Sequence, residues 1–271
     1  MTDRYAVLGN PVAHSKSPQI HTLVAQQTEQ DLSYEKLEVP PDQFAETLQR
    51  LHREGYLGMN VTLPFKEQAC EIAESLSDAA RFAQAVNTLI RTETGWHGDN
   101  TDGKGLVTDL KQNLGLSLRD KNILILGAGG AVRGILAPLL AQHPTMLHIA
   151  NRTAEKATAL AEKFRDQGTI TATGLDGPFQ SSFDLIINAT SASVSGEMPV
   201  LAEGLVQPDT AAYDLFYSDQ PTGVMRWADA EGASTTADGI GMLIEQAAES
   251  FYLGRKTRPD TSHVSKLISQ K

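Results

Sequence analysis

One cysteine, Cys70, stands in 271 residues. A lone thiol excludes an internal disulfide framework and a multi-cysteine metal site. On the helix expected after Pro64, it reads as a small hydrophobe filling a core or groove rather than a nucleophile. The seven histidines show no pairing at metal-ligand spacing, so no metal site is expected. Basic clusters are missing too. With a formal charge of −10 and dispersed Lys and Arg, neither a nucleic-acid backbone nor an anionic membrane is an expected partner. No apolar run approaches membrane-spanning length. The stretch Met1-Thr2-Asp3-Arg4-Tyr5-Ala6-Val7-Leu8 carries charges where a signal peptide needs its apolar core, so a cytoplasmic location is expected. Internal repeats and low-complexity linkers are absent, and aromatic residues make up only 6%.

What is present suits an ordinary globular protein, with 41% hydrophobic and 21% charged residues. The length predicts two domains. A strand at Tyr5 to Leu8 leads into the loop Gly9-Asn10-Pro11. Ser17-Pro18 then reads as an N-cap followed by proline at the first helical position, with Ile20, Leu23, Val24 and Gln27 at helical spacing. Strand-like Tyr34 to Val39, a helix from about Asp42 to His52, a strand from Gly58 to Thr62 and a helix from near Phe65 continue an α/β pattern.

A different unit begins after residue 102. There Leu106, Val107, Leu110 and Leu114 form a helical stripe before Asn122-Ile123-Leu124-Ile125-Leu126, whose continuous apolar run predicts a buried parallel strand. Further strands at Met146 to Ala150, Ile170 to Thr173, Asp184 to Asn188 and Ala211 to Phe216 predict a doubly wound parallel sheet. Ile240, Leu243, Ile244, Ala247, Ala248, Phe251 and Tyr252 then repeat as an amphipathic helix. The expected organisation is a discontinuous α/β domain of residues 1–102 plus 240–271, completed by that C-terminal helix, and an inserted nucleotide domain of residues 103–239.

Gly127-Ala128-Gly129-Gly130-Ala131 follows a strand and opens a helix, the context of a dinucleotide phosphate turn in a Rossmann-like domain. Glycines there let backbone N–H groups approach a pyrophosphate at a helix N-terminus. The match to G-x-G-x-x-G is imperfect, because Val132 occupies the third glycine position, and a plain strand-to-helix turn is the competing reading. After the second strand comes Asn151-Arg152-Thr153, where an NAD-preferring protein would carry an acid for the ribose 2′-hydroxyl. Arg152 suits a 2′-phosphate, Thr153 can cap the next helix while offering a hydroxyl, and Lys156 adds charge one turn on. NADP is therefore the cofactor expected, against the alternative that Arg152 and Lys156 are a solvated surface.

In the first domain, Lys66 falls in the first turn of a helix, where the macrodipole disfavours a cation and should lower an ammonium pKa, as suits a proton donor and acceptor. A solvated lysine explains it equally well. Asp102, near the start of the helix carrying Leu106, is explained by capping. Its pairing with Lys66 is a hypothesis that spacing does not establish.

Taken together, Gly9-Asn10-Pro11-Val12-Ala13-His14-Ser15-Lys16-Ser17-Pro18, Asn60-Val61-Thr62-Leu63-Pro64-Phe65-Lys66, Ala85-Val86-Asn87-Thr88 and Gly98-Asp99-Asn100-Thr101-Asp102-Gly103 resemble the successive signatures of the shikimate dehydrogenase family. The resemblance continues through the glycine turn, Asn151-Arg152-Thr153, Ile187-Asn188-Ala189-Thr190-Ser191 and Ala237-Asp238-Gly239-Ile240-Gly241-Met242-Leu243. It implies NADP-dependent, reversible reduction of 3-dehydroshikimate to shikimate, in the pathway to chorismate and the aromatic amino acids. In that chemistry Lys66 supplies or relays the proton, and Asp102 orients the substrate and keeps Lys66 charged.

The resemblance further implies that Ser15 and Ser17 hold the substrate carboxylate with Thr62 nearby, and that Lys66, Asn87, Asp102 and Gln246 hold ring hydroxyls. Taken singly, Ser17 also reads as an N-cap, Asn87 as a turn former and Thr62 as a strand-end hydroxyl. Gln246 lies off the apolar stripe of its helix, free to face a cleft. Tyr217 resembles the family tyrosine near the substrate, Leu215 and Gly239 resemble positions lining the nicotinamide, and Asp78 a residue approaching the cofactor. The family often carries Met where Leu215 stands. Its members occur as monomers and dimers, so a homodimer stays open. The rival readings are a dual quinate/shikimate dehydrogenase and a non-catalytic NADP-binding regulator.

Overall fold

The computed structural model describes residues 2–179, 182–190, 192–193, 201 and 204–269. The chain forms two units, Met1–Leu106 with Leu243–Lys271, and Val107–Met242. In order come β1 (Asp3–Gly9), α1 (Ser17–Gln27), β2 (Leu32–Glu38), α2 (Phe44–Arg53), β3 (Gly58–Val61), α3 (Lys66–Ile72), β4 (Ser75–Leu76), α4 (Asp78–Ala83), β5 (Thr88–Arg91), β6 (Trp96–Asp99) and α5 (Asp102–Thr108). The second unit adds β7 (Asn122–Leu126), α6 (Gly130–Leu140), β8 (Met146–Ala150), α7 (Ala154–Phe164), β9 (Ile170–Thr173), β10 (Leu185–Asn188), β11 (Ala211–Asp214), α8 (Gly223–Ala230) and β12 (Thr235–Ala237). Last are α9 (Ile240–Arg255) and α10 (Thr261–Ser269). The division between units falls within α5 and α9.

In the first unit, the sheet order is β2-β1-β3-β5-β6-β4. The apolar β1 pairs in parallel with β2 and β3, while β5 runs antiparallel to β3 and β6. The β5–β6 hairpin, where the sequence predicts no strands, closes through Thr92, whose N–H donates to Gly95 O and whose hydroxyl accepts from Gly95 N–H, both at 2.9 Å. Beneath the sheet, Phe44 and Phe65 stack at 4.5 Å among Leu8, Leu48, Leu51 and Trp96. Each such side chain contributes roughly 1.5–3 kcal/mol by leaving water.

Two local expectations shift in this unit. Ser17 is the first residue of α1 and Lys16 precedes it as the cap, with no side-chain cap bond. It is the Ser15 hydroxyl that accepts from the Ser17 N–H, at 3.3 Å. Helix α9 is also not one-faced, since Gln246, Glu249 and Ser250 are buried and the stripe residue Tyr252 is 36% exposed. Its polar side chains stay buried because each finds a partner. Glu249 takes Lys104 and Arg258, and Ser250 accepts from Asn60. Burial pushes the Glu249 carboxyl up, and those two cations outweigh it and hold the group below the usual range.

His21 on α1 is buried, stacks on Tyr34 at 4.1 Å and leaves Nε2 without a hydrogen-bond partner. Burial drives its pKa from 6.5 to about 3, opposed in part by the Asn60 side chain. The unfolded chain therefore binds this proton first. The stability that neutral His21 permits is fully present above about pH 6.5 and is lost as pH falls toward 3, at up to about 1.4 kcal/mol per pH unit. His21→Phe, which keeps the stack, is expected to flatten that slope. Urea denaturation of both proteins at several pH values in this window checks it, and equal slopes would refute it.

In the second unit all neighbouring strands are parallel, in the order β12-β11-β10-β7-β8-β9. Read from the other edge this is the 3-2-1-4-5-6 order of a dinucleotide fold. Ile123, Leu124, Ile125 and Leu126 of central β7 are fully buried, as their unbroken apolar run predicts. Strand β11 stops at Asp214, short of the expected Phe216, because the buried Asp214 carboxylate accepts from Phe216 N–H at 3.1 Å and turns the chain. The predicted helical stripe through Leu110 passes at Asp109–Asn113 into a π-helical turn. Asp109 is buried there, accepting from Tyr213 Oη at 2.6 Å and Asn113 Nδ2 at 2.8 Å. Burial and then Asp109 push the Tyr213 hydroxyl well above the ordinary tyrosine value.

Candidate active site

The helix start after β3, the turn into β5 and the start of α5 converge on one buried polar cluster. Lys66 opens α3, and its Nζ donates to Asp102 Oδ2 at 2.6 Å, the two side chains being 21% and 9% exposed. An exposed pair would contribute little, but one this enclosed is costly to break. The solvated reading of Lys66 is thereby set aside. Asp102 opens α5, yet its carboxylate does not cap it. Oδ1 accepts from Asn87 Nδ2 at 2.7 Å, while the Asp102 N–H is satisfied by Asn100 Oδ1 at 3.1 Å. Carboxylate oxygens engaged on both sides are left with a fixed orientation.

Asn87 stands in the bend that leads into β5, as a turn former would, and it also bonds to both neighbouring strands. Its N–H donates to Asp99 O at 3.1 Å and its carbonyl accepts from Val61 N–H at 2.8 Å, so it lies between two strands. Its Oδ1 accepts from Thr88 Oγ1 and Thr101 N–H, both at 2.9 Å. Its Nδ2 faces Asp102, Thr101 Oγ1 at 3.0 Å and Gln246 Oε1 at 3.3 Å. Gln246 on α9 is anchored by its Nε2, which donates to Leu243 O at 2.9 Å. The structure thus brings Lys66, Asp102, Asn87 and Gln246 together and adds Thr101 and Thr88. Neither threonine carries a sequence signal that separates it from an ordinary turn or strand residue.

Ser15 and Thr62 belong to the adjoining loops, and Ser17 opens α1. The 10–17 segment is tied down by Asn10 N–H to Leu63 O at 3.0 Å and Lys36 Nζ to Ala13 O at 2.5 Å. Thr62 N–H donates to Leu8 O at 2.9 Å. Among the described residues no hydrogen bond joins these serines to the Lys66 cluster. Asp78 opens α4, 84% exposed, with its carboxylate on Arg81 at 2.7 Å.

In the second unit, Gly127 follows β7 at φ 113°, and a Cβ there would meet Ala189 O at 3.0 Å, so only glycine suits the turn. Ala128, Gly129, Gly130 and Ala131 lead into α6, and nothing lies within 4 Å of the Cβ position of Gly129, which leaves open space over that backbone. Beyond β8, Asn151 Nδ2 donates to Thr153 O at 2.9 Å. Thr153 precedes α7 as its cap residue without a side-chain cap bond, contrary to the capping expected of it. Arg152 and Lys156 are exposed. Gly239 N–H donates to Phe216 O at 3.0 Å, and a Cβ on Gly239 would lie 2.2 Å from Leu215 O. Leu215 and Tyr217 are half-buried, the Tyr217 ring 6.3 Å from Phe216. Asn188 and Thr190 are joined at 2.8 Å, and Ser191 lies outside the described residues.

A parallel sheet in dinucleotide order with a glycine turn, on a chain that elsewhere buries a Lys–Asp–Asn cluster, defines an α/β nucleotide-dependent oxidoreductase. Residues 7–89 match the model of the shikimate dehydrogenase substrate binding domain, and residues 109–208 that of shikimate / quinate 5-dehydrogenase. The NADP(+) shikimate dehydrogenase of Thioalkalivibrio sulfidiphilus is 52% identical over 98% of both chains. The shikimate 5-dehydrogenase of Thermus thermophilus, solved with NADP(H) and shikimate, has a TM-score of 0.88 and 33% identity over 99% of both chains. An Ael1 enzyme from Pseudomonas putida has a TM-score of 0.93 and 41% identity, covering 99% of this chain and 98% of its own. The chain belongs to the shikimate dehydrogenase family.

Proposed function

We propose that this chain catalyses the reversible, NADP-dependent reduction of 3-dehydroshikimate to shikimate. The observation that carries the reading is the Lys66 ammonium held on a buried carboxylate beside two amides, those of Asn87 and Gln246. Reducing a ring ketone places negative charge on its oxygen and requires a proton there. Lys66 has three N–H bonds, of which Asp102 takes one, so the others are available to donate to that oxygen and then protonate it. Asp102 and Asn87 fix the direction of approach, and Gln246 and Asn87 bind ring hydroxyls. Ser15 on the tethered loop and Ser17 at the start of α1, both neutral donors, hold the carboxylate with Thr62.

The second unit's residues fit a dinucleotide. The obligatory glycine at 127, the uncovered backbone at Gly129 and the exposed Arg152 after β8 are its features. Gly127, Ala128, Gly129, Gly130 and Ala131 would hold its pyrophosphate. Asn151, Arg152, Thr153 and Lys156 would hold the adenosine 2′-phosphate, and Leu215 and Gly239 complete the unit's set. When bound, NADP supplies or accepts the hydride. Among the described residues no helix is long and apolar enough to cross a membrane, and this reading places the enzyme in the cytoplasm.

Initial rates of nicotinamide absorbance change, with shikimate or quinate and with NADP+ or NAD+, test the proposal. Turnover strongly favouring shikimate with NADP+ is expected. Comparable quinate or NAD+ rates would move the assignment to a dual-specificity enzyme, and no rate with tight shikimate binding would move it to a binding protein.

A further inference from the structure

The Asn87-Thr88 pair closes the third of the sequence blocks described above, yet the proposed chemistry uses only Asn87. Thr88 is 2% exposed and sits in register between Asn60 on β3 and Asp99 on β6. Its surroundings determine where its single hydroxyl proton points. The carbonyl of Asn87, which can only accept, faces Asn60 Nδ2 at 3.2 Å, and the Tyr34 hydroxyl lies 2.7 Å from Asn60 Oδ1. These two contacts fix the Asn60 amide with its NH2 group inward. That NH2 group, with two N–H bonds for three acceptors, also faces Ser250 Oγ at 2.9 Å and Thr88 Oγ1 at 3.3 Å. The Thr101 N–H, which can only donate, meets Asn87 Oδ1 at 2.9 Å and marks that atom as the oxygen, so Thr88 turns its own proton to it, also at 2.9 Å. The Asn87 amide is then held by its oxygen, and its NH2 group is committed to Asp102 at 2.7 Å.

We propose that the Thr88 hydroxyl is a positioning group for the reaction. Through Asn87 it holds Asp102 in the orientation that aims Lys66, and the buried Asn60 and Ser250 with the half-buried Tyr34 form the frame around Thr88. The inference rests on the function proposed above. Without Thr88 the Asn87 oxygen keeps only Thr101, its N–H at 2.9 Å and its hydroxyl at 3.3 Å; a side chain held from two residues points its other end more narrowly than one held from one, and small displacements of positioning groups weaken transition-state interactions.

The test replaces Thr88 by Val, which keeps the shape and removes the hydroxyl, and by Ser, which keeps the hydroxyl. Thr88→Val is expected to lower kcat/KM for shikimate about tenfold, a change worth about 1.4 kcal/mol, and to leave KM for NADP+ unchanged. Thr88→Ser is expected to restore most of the loss. Unchanged kcat/KM in a folded Thr88→Val protein, a Thr88→Ser protein as impaired as Thr88→Val, or parallel changes in both KM values would each overturn the proposal. If Thr88→Val does not fold, comparing Thr88→Ala with Thr88→Ser makes the same test. Inactive wild-type protein would instead sink the proposed function, so the two failures are distinguishable.

Discussion

Replacing Lys66 by Met is expected to lower kcat for shikimate oxidation by roughly 10²–10⁴-fold, the range for a positioned proton donor or acceptor, with a far smaller change in KM for shikimate. Methionine keeps much of the aliphatic stem and loses the ammonium, so binding contacts made along the chain survive while proton transfer does not. The substitution also leaves the Asp102 carboxylate, 9% exposed, without its cation. Breaking a buried pair costs roughly 3–5 kcal/mol, and here the Asn87 amide still donates to the other carboxylate oxygen. A melting curve on the same preparation therefore separates lost chemistry from lost fold. Because the two side chains act as one unit, Lys66→Met combined with Asp102→Asn is expected to be little slower than Lys66→Met alone. Folded Lys66→Met protein with unchanged kcat would remove Lys66 from the mechanism, and multiplying defects would show that the two residues act separately.

Much of this architecture is legible in the chain because its strongest physical signals are local. The run over residues 123–126 is apolar on both faces, as a strand covered on two sides must be, and Met146–Ala150 follows it except at His148, whose ring nitrogens find Thr171 and Thr173. The glycine at 127 marks a backbone geometry that a side chain would block. Elements that depend on distant partners are less visible. Strand β12 is three residues at a sheet edge, and β5 and β6 mix Thr, Arg, His and Asp into their length. Nothing in Asp109-Leu110-Lys111-Gln112-Asn113 announces a π turn, since its anchor, Tyr213, lies on another strand.

The site divides in the same way. In the sequence Lys66 is a cation at a helix start that solvation also explains and Asp102 reads as a cap, so their meeting at 2.6 Å is a property of the fold. Gln246 lies off the apolar stripe, as its spacing shows, and is nevertheless buried, because Asn87 and Thr101 supply the polar contacts that the stripe argument omits. Thr101 and Thr88 are indistinguishable from turn and strand residues until their hydroxyls are traced to Asn87 and Gln246.

The second large effect concerns the choice of dinucleotide. Arg152→Ser is expected to raise KM for NADP+ by roughly 10–100-fold while leaving KM for NAD+ nearly unchanged. The estimate follows from about 1.5–3 kcal/mol for a hydrogen bond to a charged group, at about 1.4 kcal/mol per tenfold. Arg152 is exposed at the end of β8, so the substitution should leave the melting temperature where it is and act on the ligand alone. Exposure also means screening, and the NADP+ preference of the unaltered enzyme is expected to shrink as ionic strength rises, whereas that of Arg152→Ser changes less. Arg152→Asp goes further, because a carboxylate repels a 2′-phosphate yet accepts from a ribose 2′-hydroxyl. It is expected to invert the preference toward NAD+. Steady-state titration of each cofactor at fixed shikimate reads all three effects. If both KM values rise together in Arg152→Ser, the arginine supports the turn as a whole, and Lys156 becomes the candidate for contact with the 2′-phosphate.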